Sequence, residues 1–228
     1  MSKRRAQLSP TFEKTQKIKS APVPKPSPIT LRTVSVLSEF DHDELARLAE
    51  VAVWRKCAPD EIIARQNESS DQVFFVVSGF VKILRGGDLG FHAPPKSDSE
   101  RRIRMRQQVM VALLGPGDIV GEIGTLLDRG RSASIVALTH CEVVSIPGVY
   151  FMGELLAFPP FALAVVRKMA QRLVDADRQV ELMRGELDDR IRALRRECLA
   201  KGLDVEQWLT QTEIARMVGA SRSARTCV

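Results

Sequence analysis

The chain has 228 residues, of which 44% are hydrophobic, and a net charge of +6 at pH 7. This composition supplies one large core or two modest ones, and it excludes a chain that is disordered throughout. No apolar run approaches the ~20 residues of a membrane span, and the N-terminus MSKRRAQLSP lacks the apolar core of a signal peptide, so we expect a cytoplasmic protein with no membrane contact.

The positive charge is concentrated at the N-terminus. Residues 1–34 carry eight Lys or Arg and one Glu, which leaves the rest of the chain slightly negative. Within this segment the prolines of APVPKPSP favour extended conformations over helix. We predict a disordered basic tail over 1–34. The tail either adds non-specific attraction to phosphates or is a solvated extension without a dedicated partner.

Residues 35–158 have the pattern of a β-rich domain. A short helix is predicted first, with Asp41 as N-cap and Glu44 completing a capping box. β-Branched and aromatic runs such as VAVWRKCAPDEII, QVFFVVSGFVKIL, VMVALL and SIVALTHCEVVSI follow, separated by turns at Asp60, Asn67 and glycines. Many short strands with such turns predict a jelly-roll-like β-barrel, whereas the polar excursion at 86–107 is predicted to be a solvated loop.

A helical period begins near residue 159. Its apolar positions follow a seam typical of a coiled coil: Ala162, Val166, Met169, Leu173, Ala176, Val180, Met183, Leu187, Ile191 and Leu194. We predict a long helix over 159–186 that pairs with a second copy of the chain through the 162–187 seam; the alternative is that this stripe lies against the chain's own barrel. A phase slip near Gly185, with Asp188 as a potential N-cap, predicts that another helix begins there.

The last segment, 187–228, contains a predicted helix-turn-helix. Thr210 and Glu213 form a capping box, Gly219 makes a turn and Ser221 can cap the next helix. Many paired helices share this pattern, but its position after a dimerising helix favours a DNA-binding segment. The candidate DNA-contacting residues are Thr210, Gln211, Thr212, Ser221, Arg222, Ser223 and Arg225.

The stretch GEIGTLLDRGRSAS, residues 121–134, has the residue types of an anion site. A glycine turn running into a short helix presents free N–H groups, and Arg131 adds a planar fork matched to a phosphate, with the Ser132 hydroxyl beside it. Glu122 would repel phosphate but can accept a hydrogen bond from a ribose hydroxyl. Together these groups describe a nucleotide site; the alternative is an internal Glu122–Arg131 salt bridge that closes the loop.

The same stretch resembles the phosphate-binding cassette of cyclic-nucleotide-binding domains. With CAPDEIIARQ, VFFVVSGFVKI, ALLGPGDIVGEIG and LTQTEIARMVGASR, residues 35–228 resemble the bacterial cyclic-AMP receptor protein and FNR superfamily of transcription regulators. The resemblance implies an α+β fold: a cyclic-nucleotide-binding β-roll, a long dimerisation helix and a C-terminal all-α DNA-binding segment. It also implies that Glu122 meets the ribose 2′-OH, that Arg131 and Ser132 bind the cyclic phosphate, and that the backbone of Gly121, Ile123 and Gly124 donates further bonds.

Two departures from the family pattern affect function. Where the family's cyclic-AMP sensors have a Thr-Ser pair that contacts adenine, this chain has Ala176 and Asp177. Asp177 is therefore either an acceptor for the N1–H and amino group of guanine or a solvated residue beside the seam. After Ser221-Arg222 the sequence reads SARTCV, where the family continues with more recognition helix and a two-stranded wing, so we expect weakened specific DNA binding.

Two functions fit these observations. One is a homodimeric transcription regulator whose DNA binding responds to cyclic AMP or cyclic GMP. The other is a cyclic-nucleotide-binding, dimerising module without effective sequence-specific DNA binding. Neither a nucleophile–base pair nor a metal-ligand pattern is evident, and the four widely spaced cysteines predict reduced thiols, so we expect neither an enzyme nor a bound metal or resident cofactor.

Overall fold

The computed structural model describes residues 25–86, 109–182 and 184–219. β-Branched and aromatic residues dominate the segments that form strands, because their side chains pack well on a pleated surface. The strands are Val53–Cys57 (β1), Ile62–Ala64 (β2), Gln72–Ser78 (β3), Val81–Arg85 (β4), Val109–Leu114 (β5), Ile119–Val120 (β6), Ser134–Ala137 (β7) and Cys141–Pro147 (β8). The predicted loop at 86–107 lies, apart from Gly86, outside the described residues.

These strands pack as two antiparallel sheets. One has the order β1-β8-β3-β6 and the other the order β2-β7-β4-β5. Apolar side chains from both sheets, such as Val76 of β3 and Ile135 of β7, are buried in one cluster. Strands distant in sequence are thus neighbours in each sheet, which is the path of a jelly roll. The predicted jelly-roll-like β-barrel is confirmed.

The segment before the barrel contains ordered structure where the sequence predicts a disordered tail. Pro28–Arg32 is a short helix (α1), capped by the Ser27 hydroxyl, which accepts a hydrogen bond from a backbone N–H 3.2 Å away. Proline suits the first turn of a helix because its missing N–H would have no partner there. Leu31 and Val34 are fully buried in a cluster with the barrel, and this burial fixes the segment. The tail prediction is therefore wrong for residues 28–34, and residues 1–24 lie outside the described residues.

The predicted local signals at the start of the barrel are confirmed. His42–Val51 forms a helix (α2). The Asp41 carboxylate accepts a hydrogen bond from the Glu44 N–H, and the Glu44 carboxylate accepts one from the Asp41 N–H, both at 2.7 Å. Asp60 and Asn67 adopt left-handed backbone conformations, with φ of 63° and 67°. Their short polar side chains tolerate this region better than other non-glycine residues do.

Six helices follow or interrupt the later strands in the described ranges: Glu122–Leu126 (α3), Gly148–Ala157 (α4), Pro159–Leu182 (α5), Leu187–Ala200 (α6), Val205–Trp208 (α7) and Gln211–Met217 (α8). The break that the phase slip predicts lies between α5 and α6. Glu186 is the N-cap of α6, so the prediction of Asp188 as N-cap is wrong. Asp188 lies instead in the first turn, where a negative charge is favourable near the positive end of the helix dipole.

No single helix in the described part of the chain has the length and apolar composition needed to cross a membrane. Helix α4 and residues 159–178 of α5 meet those requirements only when taken together, and a bend of 111° separates them.

The C-terminal helices α6, α7 and α8 pack on the second sheet of the barrel. Ile191 and Ile214 are buried in a cluster with Phe80 and Met110. The predicted capping box at the start of α8 is confirmed, since the Thr210 hydroxyl accepts from the Glu213 N–H at 3.2 Å and the Glu213 carboxylate accepts from the Thr210 N–H at 2.9 Å. The second helix of the predicted helix-turn-helix falls in 220–228, outside the described residues.

An ion-pair cluster ties α8 to the barrel. The Lys82 side chain of β4 is only 5% exposed, and its Nζ lies 2.9 Å from Asp60 Oδ1 and 3.3 Å from Glu213 Oε1. Two carboxylates thus compensate the charge of a nearly buried ammonium group. The first helix of the predicted DNA-binding segment is held on the barrel by charge as well as by apolar packing.

The described cysteines are free and buried, as predicted. Cys57 and Cys141, far apart in sequence, are register partners on β1 and β8. Burial raises the pKa of the Cys198 thiol to about 11, so this thiol stays protonated at neutral pH. Cys227 lies outside the described residues.

Candidate ligand-binding site

The turn between β6 and α3 requires a glycine. Gly121 has a φ of 87°, in the left-handed region that side chains disfavour. A Cβ at this position would lie 2.2 Å from Nη1 of Arg131 and 3.4 Å from the Phe74 ring. The absence of a side chain at Gly121 therefore allows the guanidinium group of Arg131 to approach the backbone.

Arg131 is almost fully buried, with 4% of its surface exposed. Its Nη1 donates to the Gly121 carbonyl at 2.9 Å and its Nη2 to the Gln72 carbonyl at 2.6 Å, while the group lies 5.2 Å from the centre of the Phe74 ring. These two hydrogen bonds use two of the five N–H donors of the fork. Burial lowers the pKa of Arg131, but an arginine remains charged at any physiological pH. The result is a fixed cation on a short loop.

Glu122 is still more buried, with 1% exposed, and its charge is compensated from α5. Nη1 of Arg172 lies 2.7 Å from Glu122 Oε1, and Nη2 of the same side chain donates to the Ile119 carbonyl. Burial raises the pKa of Glu122 above its usual value, and the nearby Arg172 charge opposes this rise. Arg131 donates to backbone carbonyls instead, so the Glu122–Arg131 salt bridge considered from the sequence is not formed. Glu122 links the loop to the long helix.

These residues line a cavity of about 470 Å³, within the range of small-molecule sites. Of the predicted ligand residues, Gly121, Glu122, Ile123, Gly124, Arg131, Ser132 and Ala176 line it. Asp177 is exposed and does not contribute to the wall, whereas Asp175 does. The structure thus brings together the predicted phosphate and ribose residues and leaves out the predicted guanine acceptor.

Sequence reasoning missed several wall residues. Arg172 lies four residues before Ala176, one helical turn away on the same face of α5, so the helical period was a signal that could have found it. The wall residues from α6 and α8, among them Arg190, Glu197, Lys201 and Met217, had no such signal, because their contact with the barrel is a tertiary feature.

The candidate DNA-contacting residues lie in and beyond α8. Thr210 is its N-cap, Gln211 is exposed in its first turn and Thr212 follows within the helix. Ser221, Arg222, Ser223 and Arg225 lie outside the described residues.

A family model described as "Cyclic nucleotide-binding domain" matches residues 54–157, which extend from β1 to the end of α4. The matched range includes the β6–α3 turn and the arginine that follows it. The barrel side of the cavity, with Glu122, Arg131 and Ser132, therefore lies inside the matched range, whereas the wall residues of α5, α6 and α8 lie outside it.

Two curated regulators are similar to this chain over most of its length. The cyclic AMP receptor protein of Thermus thermophilus is 32% identical over 162 residues, which cover 69% of this chain and 66% of that protein. The HTH-type transcriptional regulator Cmr of Mycobacterium tuberculosis is 26% identical over 181 residues, which cover 79% of this chain and 66% of that protein. The chain also matches longer proteins, among them an enzyme, glutaminase 2 of Bradyrhizobium diazoefficiens, of which it spans 21%.

The c-di-GMP responsive global regulator CLP of Xanthomonas campestris has a similar solved structure. It superposes with a TM-score of 0.62 at 19% identity, over 82% of this chain and 89% of that one. At this identity the likeness concerns the fold: a β-roll, a long helix and C-terminal helices.

Proposed function

Because this chain belongs to the superfamily of the bacterial cyclic AMP receptor protein and FNR, we propose that it is a homodimeric DNA-binding transcription regulator whose effector is a cyclic nucleotide. Its role is binding and signalling in the cytoplasm, where its DNA target lies. The observation that carries the proposal is the cavity that joins Glu122, Arg131 and Ser132 in one matched domain.

The chemistry of the cavity suits a cyclic phosphate joined to a ribose. Arg131 is a buried cation whose remaining donors can bind phosphate oxygens, and Ser132 adds a hydroxyl. The Glu122 carboxylate accepts a hydrogen bond from the ribose 2′-OH. Its pairing with Arg172 keeps it charged and oriented while it does so. We propose cyclic AMP or cyclic GMP as the effector.

The long helix supports the proposed dimer. Three residues of the predicted seam, Val166, Leu173 and Val180, are 58 to 65% exposed, so the chain's own barrel leaves them uncovered. Phe161 and Val165 of the same helix pack on the barrel instead. Val166, Leu173 and Val180 repeat every seven residues and face away from their own domain, which fits the same positions of a second copy. Other residues of the predicted seam, Met169, Leu187, Ile191 and Leu194, pack instead within their own chain.

A single contact connects the proposed ligand site with the proposed dimerisation helix α5. Arg172 is on the dimerisation helix and contacts Glu122, the proposed ribose partner. A ligand that changes this contact favours one placement of α5, and hence one spacing of the two DNA-binding segments, over the other. We propose that Thr210, Gln211, Thr212, Ser221, Arg222, Ser223 and Arg225 then contact DNA.

Calorimetric titration of the full chain with cyclic AMP and with cyclic GMP tests the ligand assignment. We expect binding of at least one, reduced more than tenfold in Arg131→Lys, which keeps the charge but loses the fork. Arg129→Lys, an exposed change on the same loop, is the matched control and should bind like the parent protein. Binding of neither nucleotide, or equal binding by all three proteins, would overturn the assignment.

Gel-shift titration with and without nucleotide tests the DNA assignment. A regulator binds a specific DNA fragment more tightly in the presence of its effector and discriminates it from scrambled DNA at fixed salt. Nucleotide binding without sequence preference in DNA binding would favour the alternative, a dimerising module that lacks effective DNA recognition.

A further inference from the structure

One face of α6 lines the same cavity as Arg131. The residues on this face are Arg190, Leu194, Glu197 and Cys198, followed by Lys201, the C-cap residue of the helix. Their spacing places them along a single side of the helix. Helix α6 belongs to the segment that carries the proposed DNA-binding unit, so this segment and the nucleotide site share a cavity.

Helix α6 is held in this position by buried contacts. Ile191 and Cys198 are 7% and 2% exposed, in a cluster that includes Leu84 and Met110 of the barrel. Nη1 of Arg190 also donates to the Val218 carbonyl at 2.7 Å, which ties α6 to the end of α8. The α6 wall is thus a packed part of the fold.

The cavity leaves a defined place for the base of a bound nucleotide. If Arg131 holds the phosphate and Glu122 the ribose, the base must occupy the remaining space. Besides barrel residues, that space is lined by α5, by the α6 face and by the end of α8; the α5 residues are Arg172, Asp175 and Ala176. With alanine at 176, where the sequence predicted a base contact, the polar side chains that α5 offers are Asp175 and Arg172, and Arg172 is paired with Glu122.

The α6 face adds further polar groups to the wall. Arg190 Nε is buried and has no hydrogen-bond partner among the described residues. Glu197 Oε1 lies 2.9 Å from Lys201 Nζ, which gives the wall a carboxylate and an ammonium group side by side. The edges of purine bases carry both donors and acceptors, and a wall with both kinds of charge can discriminate between them.

We propose that α6 of the same chain forms the base-binding wall of the nucleotide site, with Arg190 and Glu197 as residues that determine base specificity. This inference rests on the proposed function. If so, the base directly contacts the segment that carries the DNA-binding unit of the same chain. Different bases can then affect this segment differently, in addition to any effect transmitted through α5.

Calorimetry with cyclic AMP and cyclic GMP on the full chain tests this inference. Loss of one hydrogen bond to a charged group corresponds to about a tenfold loss of affinity. We therefore expect Glu197→Gln and Arg190→Met each to weaken the preferred nucleotide about tenfold and to reduce the ratio between the two affinities. Arg196→Met, a neighbour on α6 that does not line this cavity, is the matched control and should leave both affinities unchanged.

Glu197→Gln keeps the test valid if Arg190→Met destabilises the fold, because the Glu197 side chain is 55% exposed and its replacement is mild. Hydrogen exchange gives a second readout: nucleotide should slow amide exchange in α6, and less so in Glu197→Gln. Wild-type binding that Arg131→Lys abolishes but both α6 variants leave unchanged would overturn this inference and leave the proposed function intact. Failure of the wild-type protein to bind either nucleotide would instead overturn the proposed function, and this inference with it.

Discussion

Replacing Gly121 by alanine is expected to damage both the fold and the nucleotide site. The new Cβ would lie 2.2 Å from Nη1 of Arg131, closer than any real contact of this kind. Arg131 must therefore move, because the glycine is fixed by its turn. The guanidinium group proposed to bind phosphate is displaced without any change to its own side chain.

The magnitude follows from two contributions. The left-handed backbone at Gly121 costs an alanine about 1–2 kcal/mol. Movement of Arg131 breaks its 2.9 Å bond to the Gly121 carbonyl, and a hydrogen bond to a charged group contributes about 1.5–3 kcal/mol. We therefore expect Gly121→Ala to lower the free energy of unfolding by roughly 3–5 kcal/mol.

Gly202→Ala is the matched control. Gly202 also has a left-handed conformation, with φ of 83°, but nothing lies within 4 Å of an added Cβ. It should lose only the backbone contribution, about 1–2 kcal/mol, and should keep full nucleotide affinity.

Urea denaturation followed by circular dichroism, and calorimetry with the preferred nucleotide, measure the two effects. With a denaturant slope of about 2–3 kcal/mol per molar, the midpoint for Gly121→Ala should fall about 1 M below that of Gly202→Ala. Equal midpoints, together with affinities within twofold of each other, would refute the argument that the contact with Arg131 requires glycine.

Three further predictions concern the buried carboxylate, the interdomain ion pair and the dimer. Burial raises the pKa of Glu122 above 4.5, so affinity for nucleotide should fall as the pH decreases through that raised value. Glu122→Gln should bind nucleotide weakly and with little pH dependence. Calorimetry across pH 4.5–8 compares the variant with the parent protein, and the same pH profile in both would contradict the role of Glu122 as the ribose partner. Lys82→Met should lower the free energy of unfolding by only about 1–2 kcal/mol, because the two carboxylates it pairs with are partly exposed to water. It should also speed amide hydrogen exchange in α8. Unchanged exchange there would show that the ion pair does not hold α8 on the barrel. Leu173→Asp should convert a dimer to a monomer in sedimentation analysis, whereas Leu199→Asp, at an equally exposed site on α6, should not; a monomeric parent protein would exclude the proposed dimer.

Local signals in the sequence predicted much of the architecture because they depend on near neighbours in the chain. Both capping boxes, at Asp41 and Thr210, and the left-handed turns at Asp60 and Asn67 are properties of a few consecutive residues. The jelly roll was predictable from many short strands and glycine turns, although the order of the strands was not. The phase slip likewise located the break between α5 and α6, but not its N-cap.

Contacts between distant residues were decided only by the tertiary structure. The prediction of a disordered tail failed at residues 28–34. It rested on the prolines and charges of this segment, whereas the burial of Leu31 and Val34 depends on contacts with distant residues. The partner of Glu122 is Arg172, 50 positions away, and no spacing rule connects them. The sequence likewise did not indicate which acidic residue of α5 lines the cavity: Asp175 does and Asp177 does not, since the rotation of α5 about its axis is set by packing.

The sequence by itself determined which chemical groups this protein offers: a glycine turn, a carboxylate, an arginine and a serine within one short stretch, and an apolar stripe at coiled-coil spacing. The tertiary structure decided which groups meet. It placed Arg172 on Glu122 and α6 over the same cavity, because burial of apolar surface between the barrel and the C-terminal helices fixes their relative positions.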